Sequence, residues 1–396
     1  MRGVGVLGIV AINVAGFFGP QAATLTPAMP GPASGADEAV FAALFLLLEG
    51  KMRALFSLLF GASLLLFVDR AEAAGRDGTA LQGRRLGWLA LFGYAHYILL
   101  WWGDILFVYA LCGLVALGLR DLSNRALIGG GIAFFLLWAL AGSLVGLPLV
   151  IAEDQVRLGL ATATQAHDVA QALQAARSAM ASDIAQAHLP FLGMAASKLH
   201  NAPFWPLTMA SASFGETLPL MLIGMGLYRT GFASGGWPRR ALVWLALGGI
   251  GLGTAMAIPI TLWAWHRHFP AIAMPDIMAY WAGPEHLLIA LGLYAALVLA
   301  APRLLAGWLG QRLAAAGQVA FSNYLGTSLA LSFAAYGWGL GLFGHIPHAD
   351  QPWLVLAIWA VMLGWSKPWL AHFRQGPLEW VWRSLVERRR MRFIRR

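Results

Sequence analysis

The sequence predicts an all-α polytopic membrane bundle of about ten transmembrane helices, with both termini cytoplasmic. Three observations carry this. Of the 396 residues, 59% are hydrophobic and only 11% are charged, whereas soluble domains average about 25% charged residues. Apolar runs close to the ~20 residues that cross a bilayer recur along the whole chain. Lys and Arg are also strongly one-sided: 21 of the 27 fall on the side of Arg2, four fall on the other, and Lys51 and Arg53 lie within a run. Basic residues gather on the cytoplasmic side of membrane proteins.

The runs are taken in order. The first, about 3–19, opens the chain as "RGVGVLGIVAINVAGFFG" with no small-residue cleavage pattern after it, so it reads as a span and not as a signal peptide. The second, 41–68, is long and interrupted by Glu49, Lys51 and Arg53. Runs 85–101 and 104–119 are joined by "WWGD", a tight hairpin with Trp anchors at the outer interface. Run 126–151 precedes a polar segment at 152–204, whose Ala, Gln and Leu content predicts one or two amphipathic helices over the outer face. Runs 206–228, 240–264, 285–301, 314–343 and 352–371 complete the bundle. A basic cytoplasmic tail, about 373–396, follows the last span, and its end, "ERRRMRFIRR", is expected to lie on the anionic inner leaflet. The whole chain is read as one transmembrane domain carrying the outer insertion and this tail.

Composition excludes several functions. The net charge of +9 follows from membrane topology and does not indicate nucleic acid. Cys112 is the one cysteine, so an intramolecular disulfide and a Cys-based metal site are both ruled out. There is no P-loop, no G-x-S-x-G and no H-E-x-x-H. His266 and His268 lack companions at ligand spacing, so no metal site is expected.

Ionisable groups within spans cost roughly 2.5–3.5 kcal/mol each on insertion scales and are functional candidates by default. Glu49 and Arg53 are four apart on one helix face and can pair. With Lys51 they are read either as a structural ion cluster or as a charged wall that binds a polar substrate. Histidine is the residue type best suited to general-base work at neutral pH, which makes His96 a candidate base. Asp104 starts the next span, where it is placed to cap that helix and to orient His96 across the hairpin. Asn13, Glu216, Ser322 and Asn323 are further polar residues in apolar runs, read either as interhelical glue or as substrate contacts.

Six stretches in order, "RGVGVLGIVAINV", "EGKMRALFSLLFGA", "RRLGWLALFGYAH", "WWGDILFVYALCG", "VAFSNYLGTSL" and "GPLEWVWRSL", resemble the YeiB-like family of bacterial membrane proteins and span nearly the whole chain. Family members carry a short acidic leader before the Arg-Gly pair. This chain opens on that pair, so a start further upstream is expected. Family members often carry Gln where Thr327 stands, so Thr327 is not taken as a site residue.

The resemblance implies a place near the transmembrane acyltransferases of the bacterial inner membrane. It implies acyl-CoA as co-substrate, with no tightly bound cofactor. On that reading the acyl group, acetyl included, goes to an extracytoplasmic small molecule or to an envelope glycan or lipid. His96 is the expected base, Asp104 its orienter and Asn13 an oxyanion donor. Arg84 and Arg85 face the phosphates of coenzyme A. Glu49, Lys51, Arg53, Glu216, Ser322 and Asn323 line the polar path. The alternative is a transporter or flippase for a small or lipid-linked polar substrate, using the same cavity. The partners expected are the bilayer and the acceptor, and a homodimer is compatible with the sequence.

Overall fold

The molecule, a computed structural model that describes residues 1–395, is helical apart from turns and one isolated pairing of Phe373 with Ile394. Helix α1 (Arg2–Phe18) is buried along most of its length. Helices α2 (Gly35–Leu47) and α3 (Lys51–Ala73) form the long second run, broken between them. The break sits at Gly50, whose φ of 69° suits glycine. A Cβ there would also lie 2.0 Å from the His286 ring. Helices α4 (Gly78–Leu99) and α5 (Leu106–Gly118) make the expected hairpin.

Helix α6 (Gly131–Leu158) leads into the polar insertion, which forms α7 (Ala163–Ala187) and α8 (Phe191–Asn201). The chain then returns through α9 (Trp205–Arg229) and α10 (Arg239–His266). After a short α11 (Ala273–Asp276) comes α12 (Gly283–Ala306). The run expected at 314–343 is two helices, α13 (Trp308–Gln318) and α14 (Ala320–Ala335), followed by irregular chain. Helices α15 (Gln351–His372) and α16 (Pro377–Glu387) close the order.

Among the described residues, five helical stretches are long and apolar enough to cross a membrane: Gly35–Ala73, Ala126–Leu158, Arg239–His266, Gly283–Ala306 and His348–His372. They mark a multi-pass membrane protein. Their outward faces expose Val145, Trp244, Leu247 and Trp353, as a hydrocarbon surround favours. Small residues let the helices approach where they cross. A Cβ on Gly61 would lie 2.0 Å from the Met221 carbonyl oxygen, and one on Gly224 would lie 2.0 Å from that of Leu58. Helices α3 and α9 therefore meet backbone to backbone.

The two ends of the bundle differ. At one end Gly3 of α1 meets Leu313 of α13. Here α16, which begins the basic tail, packs against the bundle. Leu378, Trp382 and Val386 recur four apart on α16, so the helix has an apolar face to bury. Trp382 and Val386 pack with Leu81 and Ala71. The Trp382 indole N–H donates to the Arg85 carbonyl at 3.0 Å, and Arg84 donates to that of Val386 at 2.7 Å. Arg396, the last residue of the expected tail, lies outside the described residues.

At the other end α7 and α8 cover the hairpin tip. The Gly337 N–H donates to the Ala187 carbonyl at 2.8 Å, and the Trp205 indole donates to that of Trp102 at 3.0 Å. Lys198 of α8 is buried, with Nζ 2.9 Å from the Tyr97 carbonyl oxygen and over the Tyr97 ring. Burial lowers its ammonium to about 7. An unfolded lysine titrates near 10.4. Between about pH 7 and 10 the unfolded chain therefore holds the extra proton, and stability rises with pH across that window. Below about 7 both states are protonated and this contribution is flat. Thermal midpoints in detergent from pH 6.5 to 9.5 should show an upward slope that Lys198→Met reduces.

Candidate functional site

The hairpin of α4 and α5 builds the centre of the site. Its tip is pinned to α1, because the indole N–H groups of Trp101 and Trp102 both donate to the Gly16 carbonyl, at 2.7 and 3.1 Å. The Trp101 ring stacks on Phe17, with centroids 4.2 Å apart. Gly93 lets the two arms close: a Cβ there would lie 2.4 Å from the Phe107 nitrogen and 2.7 Å from Asp104 Oδ2.

With the arms this close, Asp104 does two jobs. Its Oδ2 accepts from the Phe107 N–H at 2.7 Å, capping α5. Its Oδ1 accepts from His96 Nδ1 at 2.8 Å. A carboxylate on Nδ1 holds the proton there and leaves a lone pair on Nε2 of the neutral ring. Both side chains are buried, and among the described residues His96 Nε2 has no hydrogen-bond partner. The Tyr324 ring of α14 packs against His96 at 5.2 Å between centroids.

Tyr324 also lines a cavity of about 170 Å³. It is also lined by the polar side chains of Arg2, Gln82, Arg85 and Glu379, by apolar ones such as Phe56, Leu59 and Leu89, and by Tyr109. The cavity is smaller than the several hundred Å³ of a drug-sized site. Arg85 lies between the rings of Phe67 and Trp382, at 4.8 and 4.5 Å. Arg2 donates to Ser63 Oγ at 2.7 Å.

The charges of α3 divide into two centres. Residues two apart on a helix point in nearly opposite directions, so Lys51 and Arg53 face different helices. Arg53 bridges Glu49 at 3.1 Å and Glu216 of α9 at 3.1 Å. Lys51, fully buried, pairs with Glu285 of α12 at 2.6 Å and donates to the Phe45 carbonyl at 2.9 Å. His286 lies beside this pair, with Nε2 3.3 Å from Glu285 Oε1. None of these side chains lines the cavity. The Arg53 carbonyl does reach its edge, accepting from the Tyr109 hydroxyl at 3.3 Å.

The other expected residues are placed individually. Asn13 is half-buried and does not line the cavity. Arg85 lines it and Arg84 is tied to α16. Ser322 holds Glu379. The Asn323 amide is spent on structure, donating to the Ala316 carbonyl at 3.1 Å and to Ser366 Oγ at 3.3 Å, and accepting from the Trp365 indole at 2.8 Å.

Sequence reasoning missed Glu285, Gln82, Glu379, Tyr109 and the proximity of Tyr324 to His96. Glu285 follows Gly-Pro in a first helical turn, where an acid is favoured anyway. The tyrosines sit in apolar runs, where an aromatic residue reads as packing. Among the described residues no group of three or more His, Cys, Asp or Glu is arranged to hold a metal ion.

Comparison with known proteins places this geometry among relatives. A family model described as "Protein of unknown function (DUF418)" matches residues 227–389. The uncharacterized protein YeiB of Escherichia coli (strain K12) is 30% identical over 400 residues, covering 98% of this chain and 95% of its own length. The uncharacterized protein YxaH of Bacillus subtilis (strain 168) is 28% identical over 394 residues, covering 97% and 92%. No solved structure matches.

The double role of Asp104 gives a stability test. Asp104→Ala removes a helix cap, worth about 0.5–2 kcal/mol, and strips a buried His of its partner, worth about 1–3 kcal/mol more. His96→Ala spares the cap. Thermal unfolding in detergent should rank Asp104→Ala below His96→Ala and both below the parent.

Proposed function

This chain belongs to the DUF418 family, with relatives such as YeiB aligned over nearly its whole length, and from its site geometry we propose that it is a membrane acyltransferase of the bacterial inner membrane. It would move an acyl group from cytosolic acyl-CoA to an acceptor on the far side. One observation carries this reading. A buried histidine has its Nδ1 held by a carboxylate and its Nε2 unpartnered, and it lies against a tyrosine that lines a cavity with Arg2 and Arg85 in its wall.

The chemistry divides among these groups. The acyl part of the donor occupies the apolar body of the cavity, while Arg2 and Arg85 face the anionic part. His96 Nε2 takes the proton of the acceptor hydroxyl or amine as that atom bonds to the thioester carbonyl carbon. The imidazolium that forms is stabilised by Asp104. The carbon–sulfur bond then breaks, and His96 returns the proton to the thiolate. Tyr324 lines the cavity beside His96 and Asn13 does not, so Tyr324 is the better-placed donor to the oxyanion. In this reading the Tyr324 ring must turn aside for the substrate to meet Nε2.

The test is acyl transfer from labelled acetyl-CoA to envelope extract by the purified protein. His96→Ala should lower it by about 10²–10⁴-fold while leaving the protein folded. A folded His96→Ala protein with full transfer would remove the assignment.

Transport of a polar substrate is the second reading. The Lys51, Glu285 and His286 cluster favours it, because Glu285 Oε2 and His286 Nε2 are buried and make no hydrogen bond among the described residues, although His286 Nε2 lies 3.3 Å from Glu285 Oε1. Stabilisation by coenzyme A supports the enzyme; proton-driven uptake that is indifferent to coenzyme A supports transport.

The topology proposed with this function has ten spans and both termini cytoplasmic, as the one-sided Lys and Arg require. Helices α7 and α8 then lie outside the cell membrane and α16 lies inside. In a Cys112→Ser background, a membrane-impermeant maleimide applied to spheroplasts should label Arg177→Cys and spare Arg389→Cys until the cells are lysed. The reverse pattern would invert the bundle.

A further inference from the structure

The Glu379 carboxylate of α16 sits on the amino end of α14. It accepts from the Phe321 N–H at 2.7 Å and the Ser322 N–H at 3.0 Å. Ser322 Oγ is already an acceptor for the Leu378 N–H at 3.1 Å, so its own proton points to Glu379 Oε2. Three donors thus converge on one anionic group at a helix amino terminus, the geometry that binds phosphates in many proteins.

Other groups in the same cavity call for a ligand. Gln82 is buried there with its Oε1 unpartnered among the described residues, which leaves an acceptor for a hydroxyl or amide N–H of a ligand beside its anionic group. Arg85 is held by aromatic rings and, among the described residues, by no carboxylate, so its planar fork of N–H groups is left for an anion. Arg2 adds a second positive charge.

We propose that the amino end of α14 is an anion subsite of this cavity for a phosphate group. Glu379 occupies it in this structure and competes with the ligand. The C-terminal helix is then a self-carried inhibitor, which a phosphorylated amphiphile displaces as it enters. The identity of that amphiphile rests on the acyl-CoA reading, but the subsite does not.

Inorganic pyrophosphate is the probe, titrated into the full chain in detergent by calorimetry. Glu379→Gln removes the competing charge and should bind pyrophosphate about tenfold more tightly, a difference of about 1.4 kcal/mol. Adding Ser322→Ala should reverse part of the gain. An unchanged or weaker affinity in a folded Glu379→Gln protein overturns the proposal.

Hydrogen exchange on the unaltered chain gives an independent reading should that variant fold poorly. Saturating pyrophosphate should lower protection of the α16 amides, and unchanged or raised protection overturns the proposal. The same exchange measured with coenzyme A, and in phosphatidylglycerol vesicles, identifies the natural source. Release by coenzyme A assigns the subsite to a nucleotide phosphate, and release in the vesicles alone assigns it to a lipid headgroup. If pyrophosphate binds as expected while no acyl transfer is found, the acyltransferase reading fails and the subsite stands.

Discussion

A hydrocarbon surround offers an ionised side chain nothing to bind, so each such group in this bundle must find its partner on a neighbouring segment or helix. The fold depends on that requirement. Lys51 ties α3 to α12 through Glu285, and Arg53 ties α3 to α9 through Glu216. His96 ties the two arms of the hairpin together through Asp104. Breaking a buried pair by removing one partner costs about 3–5 kcal/mol, so these contacts dictate which helices are neighbours. Glycine makes them reachable: Gly50 admits the His286 ring, Gly61 and Gly224 bring α3 onto α9, and Gly93 brings α5 onto α4.

That demand also makes the exceptions informative. His96 Nε2, Gln82 Oε1, Glu285 Oε2 and His286 Nε2 are buried polar atoms without partners among the described residues. A buried unsatisfied group costs about 1–3 kcal/mol, so each such atom calls for a substrate, water or proton to receive. Gln82 belongs to the cavity, and His96 lies against Tyr324, which lines it. The Glu285 and His286 pair is separate and gives the bundle a second polar centre near the Gly50 break.

The tail connects the cavity to the surface. Its amphipathic face explains why α16 folds back, and Glu379 explains where it stops: the amino end of α14 supplies a set of free donors. Gly376 is required at this corner, since a Cβ would lie 2.1 Å from the Glu379 carboxylate. One short helix therefore holds α4 and α14 together and lends Glu379 and Trp382 to the cavity wall.

Much of this was legible in the residues alone. Membrane residence, the helical runs, the hairpin at "WWGD" and the Glu49–Arg53 pair all rest on local quantities: hydropathy over ~20 residues, turn residues, and the i to i+4 spacing of a helix. The His96 and Asp104 contact was legible only as a chance, because eight residues across a turn can meet or miss. Gly93 decided that they meet. What only the tertiary structure decided was which helix each charge faces. Lys51 reads as one member of a cluster with Glu49 and Arg53, yet it turns to Glu285, 234 residues away. Ser322 and Asn323 are neighbours in one motif, yet one holds Glu379 by the cavity while the other locks α14 to α15. Adjacent helical residues diverge by about 100°, so a one-residue difference selects a different neighbour. Periodicity shows which residues share a face, and only packing shows what that face meets.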